Sequence, residues 1–196
     1  MLVVQVVLTQ AYVPGPRLLL PALEAVLLVG LFASRPTLRP TVSRQERSAA
    51  LALLSLVAVV NAATLVLLVR RLLGGGQSDG RSLLAAAAGV WMTNALVFAL
   101  AYWELDRGGP HARLDVDDHT PMDLLFPQDT APELAPPGWR PAFADYLFTS
   151  LTASTAFSPT DVMPLTPRAK LLVGLQSLVS LLTVTLVAAR AVNVLT

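Results

Sequence analysis

The chain contains no cysteine, which excludes disulfides and thiolate metal sites. Charge is scarce. Only 14% of the 196 residues are Asp, Glu, Lys or Arg, against about 25% in an average soluble domain. The 14 basic and 13 acidic side chains leave a net charge of +1, so the strongly basic face that nucleic acid requires is absent. Lysine is nearly missing; Lys170 is the single one. Catalytic signatures are missing too: there is no nucleophile elbow, phosphate loop or His-Glu-x-x-His pattern. The hydroxyl-rich run Thr149–Thr155 has no nearby histidine to serve as a base. The sequence therefore predicts no enzyme, no catalytic residue, no metal site and no cofactor.

What is abundant is apolar. Hydrophobic residues make up 54% of the chain and the mean hydropathy is +0.61. Four segments have the length and composition to cross a hydrocarbon core of about 30 Å, which takes about 17–25 residues. They are Leu18–Ala33, Ala49–Val69, Leu83–Trp103 and Leu171–Val192. The first is short and carries Pro21 and Glu24 near its start. The second closes on Arg70-Arg71, and the third ends in Tyr102-Trp103 at the interfacial position such rings favour. Met1–Gln10 has no early Lys or Arg, unlike a cleaved signal segment, and reads as a short interfacial stretch.

The connections differ in character. Arg35–Ser48 is short and basic, and Arg70–Ser82 holds Gly74-Gly-Gly76, a flexible turn. Glu104–Arg140 contains six prolines and many acids, among them Asp115, Asp117, Asp118, Asp123, Asp129 and Glu133. That composition predicts a segment without a packed core of its own. Within it His111, Asp115, Asp117, Asp118 and His119 form the one metal-like cluster, but the spacing fits no dedicated loop, and a solvated acidic turn is the expectation. Glu104-Leu-Asp106-Arg107-Gly-Gly-Pro110 is expected to cap the third span and tie the loop to the bundle by ion pairs. The apolar stretch 142–157 that follows is too short to span and rich in hydroxyls. Pro141 suits its first turn, and Asp145 suits the positive end of its dipole. Such a segment is expected to dip into the bilayer and return, walled by other helices.

The run Asp145-Tyr-Leu-Phe-Thr-Ser-Leu-Thr-Ala-Ser-Thr-Ala-Phe-Ser-Pro-Thr-Asp161-Val-Met-Pro-Leu-Thr-Pro167 resembles the pore helix, filter and following turn of two-transmembrane potassium-channel pore domains. Asp161, Pro164 and the inner-helix-like Leu171–Val192 fall in the matching order. The whole chain is also similar to a family of uncharacterised bacterial four-helix membrane proteins related to that module. The resemblance implies an all-α integral membrane protein with four transmembrane helices plus a re-entrant pore-like helix, its C-terminal half potassium-channel-like. It implies a homo-tetramer in the bacterial inner membrane, with lipid and an inorganic ion as partners. Residues 1–82 would form an N-terminal two-helix hairpin. Residues 83–196 would form the pore module: outer helix, acidic Pro-rich loop 104–140, re-entrant helix 142–157 and inner helix 171–192.

The filter departs from that family. Anchored on Asp161, the filter-equivalent positions are Thr155, Ala156, Phe157, Ser158, Pro159, Thr160 and Asp161. A potassium filter stacks backbone carbonyls that replace the ion's hydration shell, and its glycines adopt positive φ at little cost. Here no glycine occurs between Gly138 and Gly174, and Pro159 fixes its own φ and lacks a donor. The expectation is a channel-like protein that either conducts an unidentified ion or does not conduct. The alternative is a non-transporting interaction or accessory protein that uses its acidic loop.

Polar residues inside the spans add candidates. Gln176, Ser180, Thr183 and Arg190 share one helical face. That face either lines a pore or a subunit contact, or holds helices together by hydrogen bonds. Glu24 is an intramembrane carboxylate with Arg17 or Asn61 as candidate partners, or a wet interfacial residue at a helix start; a proton-coupled transporter using it is a third, weaker reading. Asn94 reads as packing glue. Orientation is contested. Five basic residues fall on the side of the termini and nine on the other, so the positive-inside rule puts the termini outside, whereas the channel resemblance puts them in the cytoplasm, the reading adopted here.

Overall fold

The computed structural model describes residues 44–73, 80–114, 121–155 and 161–195. The expected span Leu18–Ala33 and Glu24 lie outside the described residues. The described chain is helical: α1 (Arg44–Leu73), α2 (Gly80–Leu105), the four-residue α3 (Pro127–Thr130), α4 (Phe143–Thr155) and α5 (Pro167–Leu195). Among the described residues three stretches are long and apolar enough to cross a membrane: Gln45–Arg71, Leu83–Gly108 and Pro167–Ala189. These correspond to three of the four spans expected from the sequence.

The helix ends follow from local chemistry. Arg70 and Arg71 sit in the last turn of α1, where cations complement the helix dipole. α5 opens with Pro167 at a position that needs no N–H, and the Thr166 hydroxyl accepts the Ala169 N–H at 3.3 Å. α4 opens with the Asp145 carboxylate reaching back to the Ala142 N–H at 2.7 Å, the acidic half of a capping box. α2 stops where Arg107, Gly108 and Gly109 take φ of 51°, 77° and 98°. At Gly109 a Cβ would come within 3.1 Å of the Glu104 carbonyl oxygen, so the tight turn requires glycine there.

α2 is the central helix. Its span is 56% buried, against 33% for α1 and 22% for α5. α1 runs antiparallel to it: Arg47 donates to the Glu104 carbonyl at one end, Asn61 to the Val90 carbonyl midway, and Leu65 and Leu68 pack with Leu83 at the other end. α5 is also antiparallel to α2. Ala169 packs with Tyr102 near its start, and Leu186 reaches Leu83 and Val90 lower down. Leu54, Val57, Val97 and Leu100 close the α1–α2 seam. At about 25 cal/mol per Å² of apolar surface, such seams hold the bundle in water-like reference terms; between lipid-facing helices close packing takes over that role.

α4 is short and lies beside the upper part of α2. Its first residue, Phe143, packs edge-on against Trp103, with ring centroids 6.0 Å apart, while its next-to-last carbonyl, on Ser154, receives the Trp91 indole N–H at 3.2 Å. From Trp103 to Trp91 a helix advances about 18 Å, a little under half of the α2 apolar span Leu83–Gly108. The chain is then back at the starting level, because Val162 joins the cluster of Phe98, Tyr102, Leu124 and Tyr146. Residues 156–160, which hold five of the seven filter-equivalent positions, lie outside the described residues.

The proline-rich loop was expected to lack a packed core of its own, and its described residues pack onto the helix ends instead. Leu124 and Phe126 are buried with Phe98, Tyr102 and Tyr146, and Leu124–Leu125 pairs antiparallel with Met163–Pro164. Composition alone undervalued it because the apolar partners come from α2, α4 and α5 rather than from the loop. Asp115, Asp117, Asp118 and His119 lie outside the described residues. Among the described residues no group of three or more potential ligands is placed to hold a metal.

Candidate functional site

The site with the densest buried polar chemistry is the junction of α2, α4 and α5. Tyr146, Ser150 and Ser154 recur every four residues and so share one face of α4; all three are buried. Gln176 of α5 meets that face with a side chain that is 0% exposed. Its amide nitrogen donates to the Ser150 carbonyl at 2.8 Å, the Ser150 hydroxyl at 2.6 Å and the Ser154 hydroxyl at 2.8 Å. Its amide oxygen accepts the Tyr102 hydroxyl of α2. The Ser150 hydroxyl in turn donates to the Ala95 carbonyl at 2.6 Å. Asn94 completes the junction by donating to the Gln176 carbonyl at 3.0 Å and to Ser180 Oγ at 2.9 Å.

These bonds explain how a helix can end inside the bundle. The last carbonyls of any helix lack intrahelical partners, and without water each unpaired one costs several kcal/mol. Here the Thr155 hydroxyl donates to the Leu151 carbonyl at 2.9 Å and the Thr152 carbonyl at 3.4 Å. Ser177 of α5 donates to the Ala153 carbonyl at 3.4 Å, and Trp91 of α2 to that of Ser154.

A second polar cluster fixes the other end of α4. Asp106 is 1% exposed. Its Oδ1 accepts the Asp123 and Leu124 N–H groups at 2.9 and 3.1 Å, and its Oδ2 accepts the Tyr146 hydroxyl at 2.6 Å. Arg107 bridges Asp106 and Asp129, and Asp129 also caps α3 through the Phe126 N–H at 2.9 Å. Arg113 donates to the carbonyls of Trp103 and Asp106, each at 2.9 Å. Its guanidinium lies 4.2 Å from the Trp103 ring centroid and 5.0 Å from that of Tyr146. Burial pushes the Arg113 pKa below the ordinary arginine value, against the raising effect of Tyr146, Asp106 and Glu104. Asp123 accepts from Thr166 and Arg168. Burial pushes its carboxyl upward, and those two hydrogen bonds together with the Arg168 charge outweigh it and hold the carboxyl below the usual range.

The sequence candidates fall as follows. Gln176, Ser180 and Thr183 do share a face, and it turns into the chain's own bundle: all three are at most 2% exposed. Gln176 and Ser180 bond to α2 and α4, while the Thr183 hydroxyl returns to the Val179 carbonyl at 2.7 Å. The helix-to-helix alternative describes these contacts. Asn61, one candidate partner for Glu24, is buried and donates to α2. Thr155 is exposed at the end of α4, and Asp161 is exposed where the chain has returned. The stretch from Glu104 to Pro110 ties the loop down as expected, chiefly through Asp106 and Arg107.

Sequence reasoning passed over Trp91, Tyr102, Ser150 and Ser154 as a set. The four-residue spacing of Tyr146, Ser150 and Ser154 was the available signal. Nothing local announces that Trp91 and Tyr102 aim their polar atoms at it. Comparison of the chain with family models, with curated proteins and with solved structures finds no match.

Proposed function

We propose that this chain is a subunit of a channel-like membrane assembly, with α2, α4 and α5 in the roles of outer helix, re-entrant pore-like helix and inner helix, and without a potassium filter. The observation that carries this reading is α4 itself. It starts level with Trp103, ends level with Trp91, and the chain returns to the same side. A helix that enters partway and turns back is the feature the resemblance requires. The carbonyls of Thr152, Ala153 and Ser154 at its end have donors, as apolar surroundings demand. The outer surface of α5 is apolar, with Leu171, Leu175, Leu178 and Leu182 exposed, and suits lipid or another copy of the chain. The proposed assembly is a homo-tetramer in the bacterial inner membrane. Native mass measurement and projection imaging of the detergent-solubilised protein test it: four-fold particles support the reading, and monomers overturn it.

The same reading places the termini in the cytoplasm. Four of the nine basic residues that oppose this orientation in a simple count are occupied by the fold. Arg47, Arg107, Arg113 and Arg168 all bond within the helix ends and the loop packed on them, whereas Arg70 stands exposed at the far end of α1. Because the chain has no native cysteine, labelling of Thr130→Cys and Ser78→Cys by an impermeant thiol reagent in intact cells reads the orientation directly. Labelling at 130 and protection at 78 is the expected result.

The accessory-protein alternative relies on acids of the loop meeting a partner. Asp106, Asp123 and Asp129 are engaged by the chain's own donors, whereas Glu133 stands exposed.

A further inference from the structure

We propose that the outward face of α1 is a helix-docking surface, and that its occupant is the apolar run Leu18–Ala33 of the same chain, set antiparallel to α1. This pairing needs α1 to cross the membrane and is independent of the channel-like reading above.

The exposed faces of α5 and α1 differ in kind. α5 exposes Leu171, Leu175, Leu178, Leu181 and Leu182, each at least 40% accessible, and such bulky side chains suit lipid. α1 exposes Ala49, Ala52 and Ser55 over its first turns, then Leu56 and Val59. The Ser55 hydroxyl is returned to the Leu51 carbonyl of its own helix at 2.8 Å, so it adds little bulk. Between membrane helices, small residues mark the places where backbones approach closely. The exposed positions 49, 52, 56 and 59 are spaced by three, four and three residues, the spacing of a helix–helix seam. The opposite face of α1 is already filled, because Leu54 and Val57 pack with Val97 and Leu100 of α2.

The chain ahead of α1 supplies the partner. The run Leu18–Ala33 ends ten residues before Arg44. Ten residues reach at most about 36 Å, less than the roughly 45 Å length of a 30-residue helix, so the end of the run is tethered to the Arg44 end of α1. Consecutive elements on short connections pack as neighbours, and a return on this side makes the pair antiparallel. The run carries Gly30 and Ala33 at that end, three residues apart, as Ala49 and Ala52 are. Setting Ala33 opposite Ala49 brings Gly30 to Ala52, Val26 to Leu56 and Leu23 to Val59. The two sequences then share one spacing along the whole seam, with small residues facing small and large facing large.

Thiol cross-linking tests the pairing, since the chain has no cysteine of its own. The full chain carrying Gly30→Cys with Ala52→Cys is oxidised with copper phenanthroline in proteoliposomes, then denatured and treated with a maleimide polymer that adds mass at each free thiol. A disulfide forms only where the Cα atoms come within about 7 Å. The expected result is loss of both free thiols in most chains, at the size of a single chain. The pair Ala33→Cys with Ala49→Cys should behave alike and guards against a fault in one variant, while Gly30→Cys with Leu178→Cys on α5 should keep both thiols. Retention of both thiols in the two α1 pairs overturns the proposal. So does a link between two chains, which would make a second copy the occupant, or preferential linking to α5. The channel-like reading fails separately, through a monomeric particle, whatever the thiols do.

Discussion

Gln176 on α5 donates from one amide nitrogen to both the carbonyl and the hydroxyl oxygen of Ser150 on α4, at 2.8 and 2.6 Å. Its amide oxygen also receives the Tyr102 hydroxyl of α2, and the Ser150 hydroxyl in turn donates to the Ala95 carbonyl of α2 at 2.6 Å.

Gln176→Leu removes four hydrogen bonds at once and strands the Tyr102 hydroxyl. Side-chain bonds between membrane helices contribute roughly 0.6–1.7 kcal/mol each, so a loss of about 2–7 kcal/mol is expected. Thermal unfolding in detergent measures the loss, and proteolysis after α4 should accelerate with it. A Tm unchanged within a degree would refute the role given to Gln176.

Asp106→Ala is expected to release the loop from the helix ends while leaving α1 and α2 paired. Three buried donors, the N–H groups of Asp123 and Leu124 and the Tyr146 hydroxyl, lose their acceptor, at about 1–3 kcal/mol per unsatisfied group. Hydrogen exchange should rise at residues 121–126 well before it rises in α2. Uniform exchange across both regions would show that the loop is not a separate unit.

Arg113→Lys keeps the charge and loses the planar fork that serves two carbonyls and two rings. Arginine and lysine are not interchangeable at a stacked site, so a loss of about 1–2 kcal/mol is expected, with a weaker near-ultraviolet circular dichroism signal from Trp103. Retention of that signal would mean the stack contributes little.

Acid should loosen the link between Asp123 and the start of α5. The Asp123 carboxyl is held below its ordinary range by Arg168 and Thr166 despite the opposing effect of burial. A carboxyl with a lower pKa folded than unfolded contributes stability that is complete above the unfolded value, about 3.9 for Asp. That contribution disappears as pH falls through the folded value. The wild type should therefore lose loop protection as pH drops below about 4, and Asp123→Asn should show a flatter acid limb. Parallel acid limbs in the two proteins would count against the link.

Much of the architecture was readable in the chain. Residues 49–69, 83–103 and 171–192 announce spans by length and apolarity, and the observed helices contain all three. The short helix after Pro141 was readable from its length and from the capping carboxylate at Asp145. The shared face of Gln176, Ser180 and Thr183 was readable from spacing, but which neighbour it meets was not, because helical periodicity fixes faces and leaves their partners open. The packed loop was the least legible part. Its buried Leu124 and Phe126 rely on Tyr102 and Tyr146 from other elements, and Asp106 looks like any interfacial acid until three donors converge on it.

The position of Gln176 also bears on how the protein is made. During synthesis α4 leaves the ribosome before α5, with Trp91 and Ala95 of α2 available to it but not yet the amide that joins Ser150, Ser154 and Tyr102. The half-length helix therefore gains its final position only after α5 has been made. Biogenesis of this fold ends with the latching of an earlier segment by a later one.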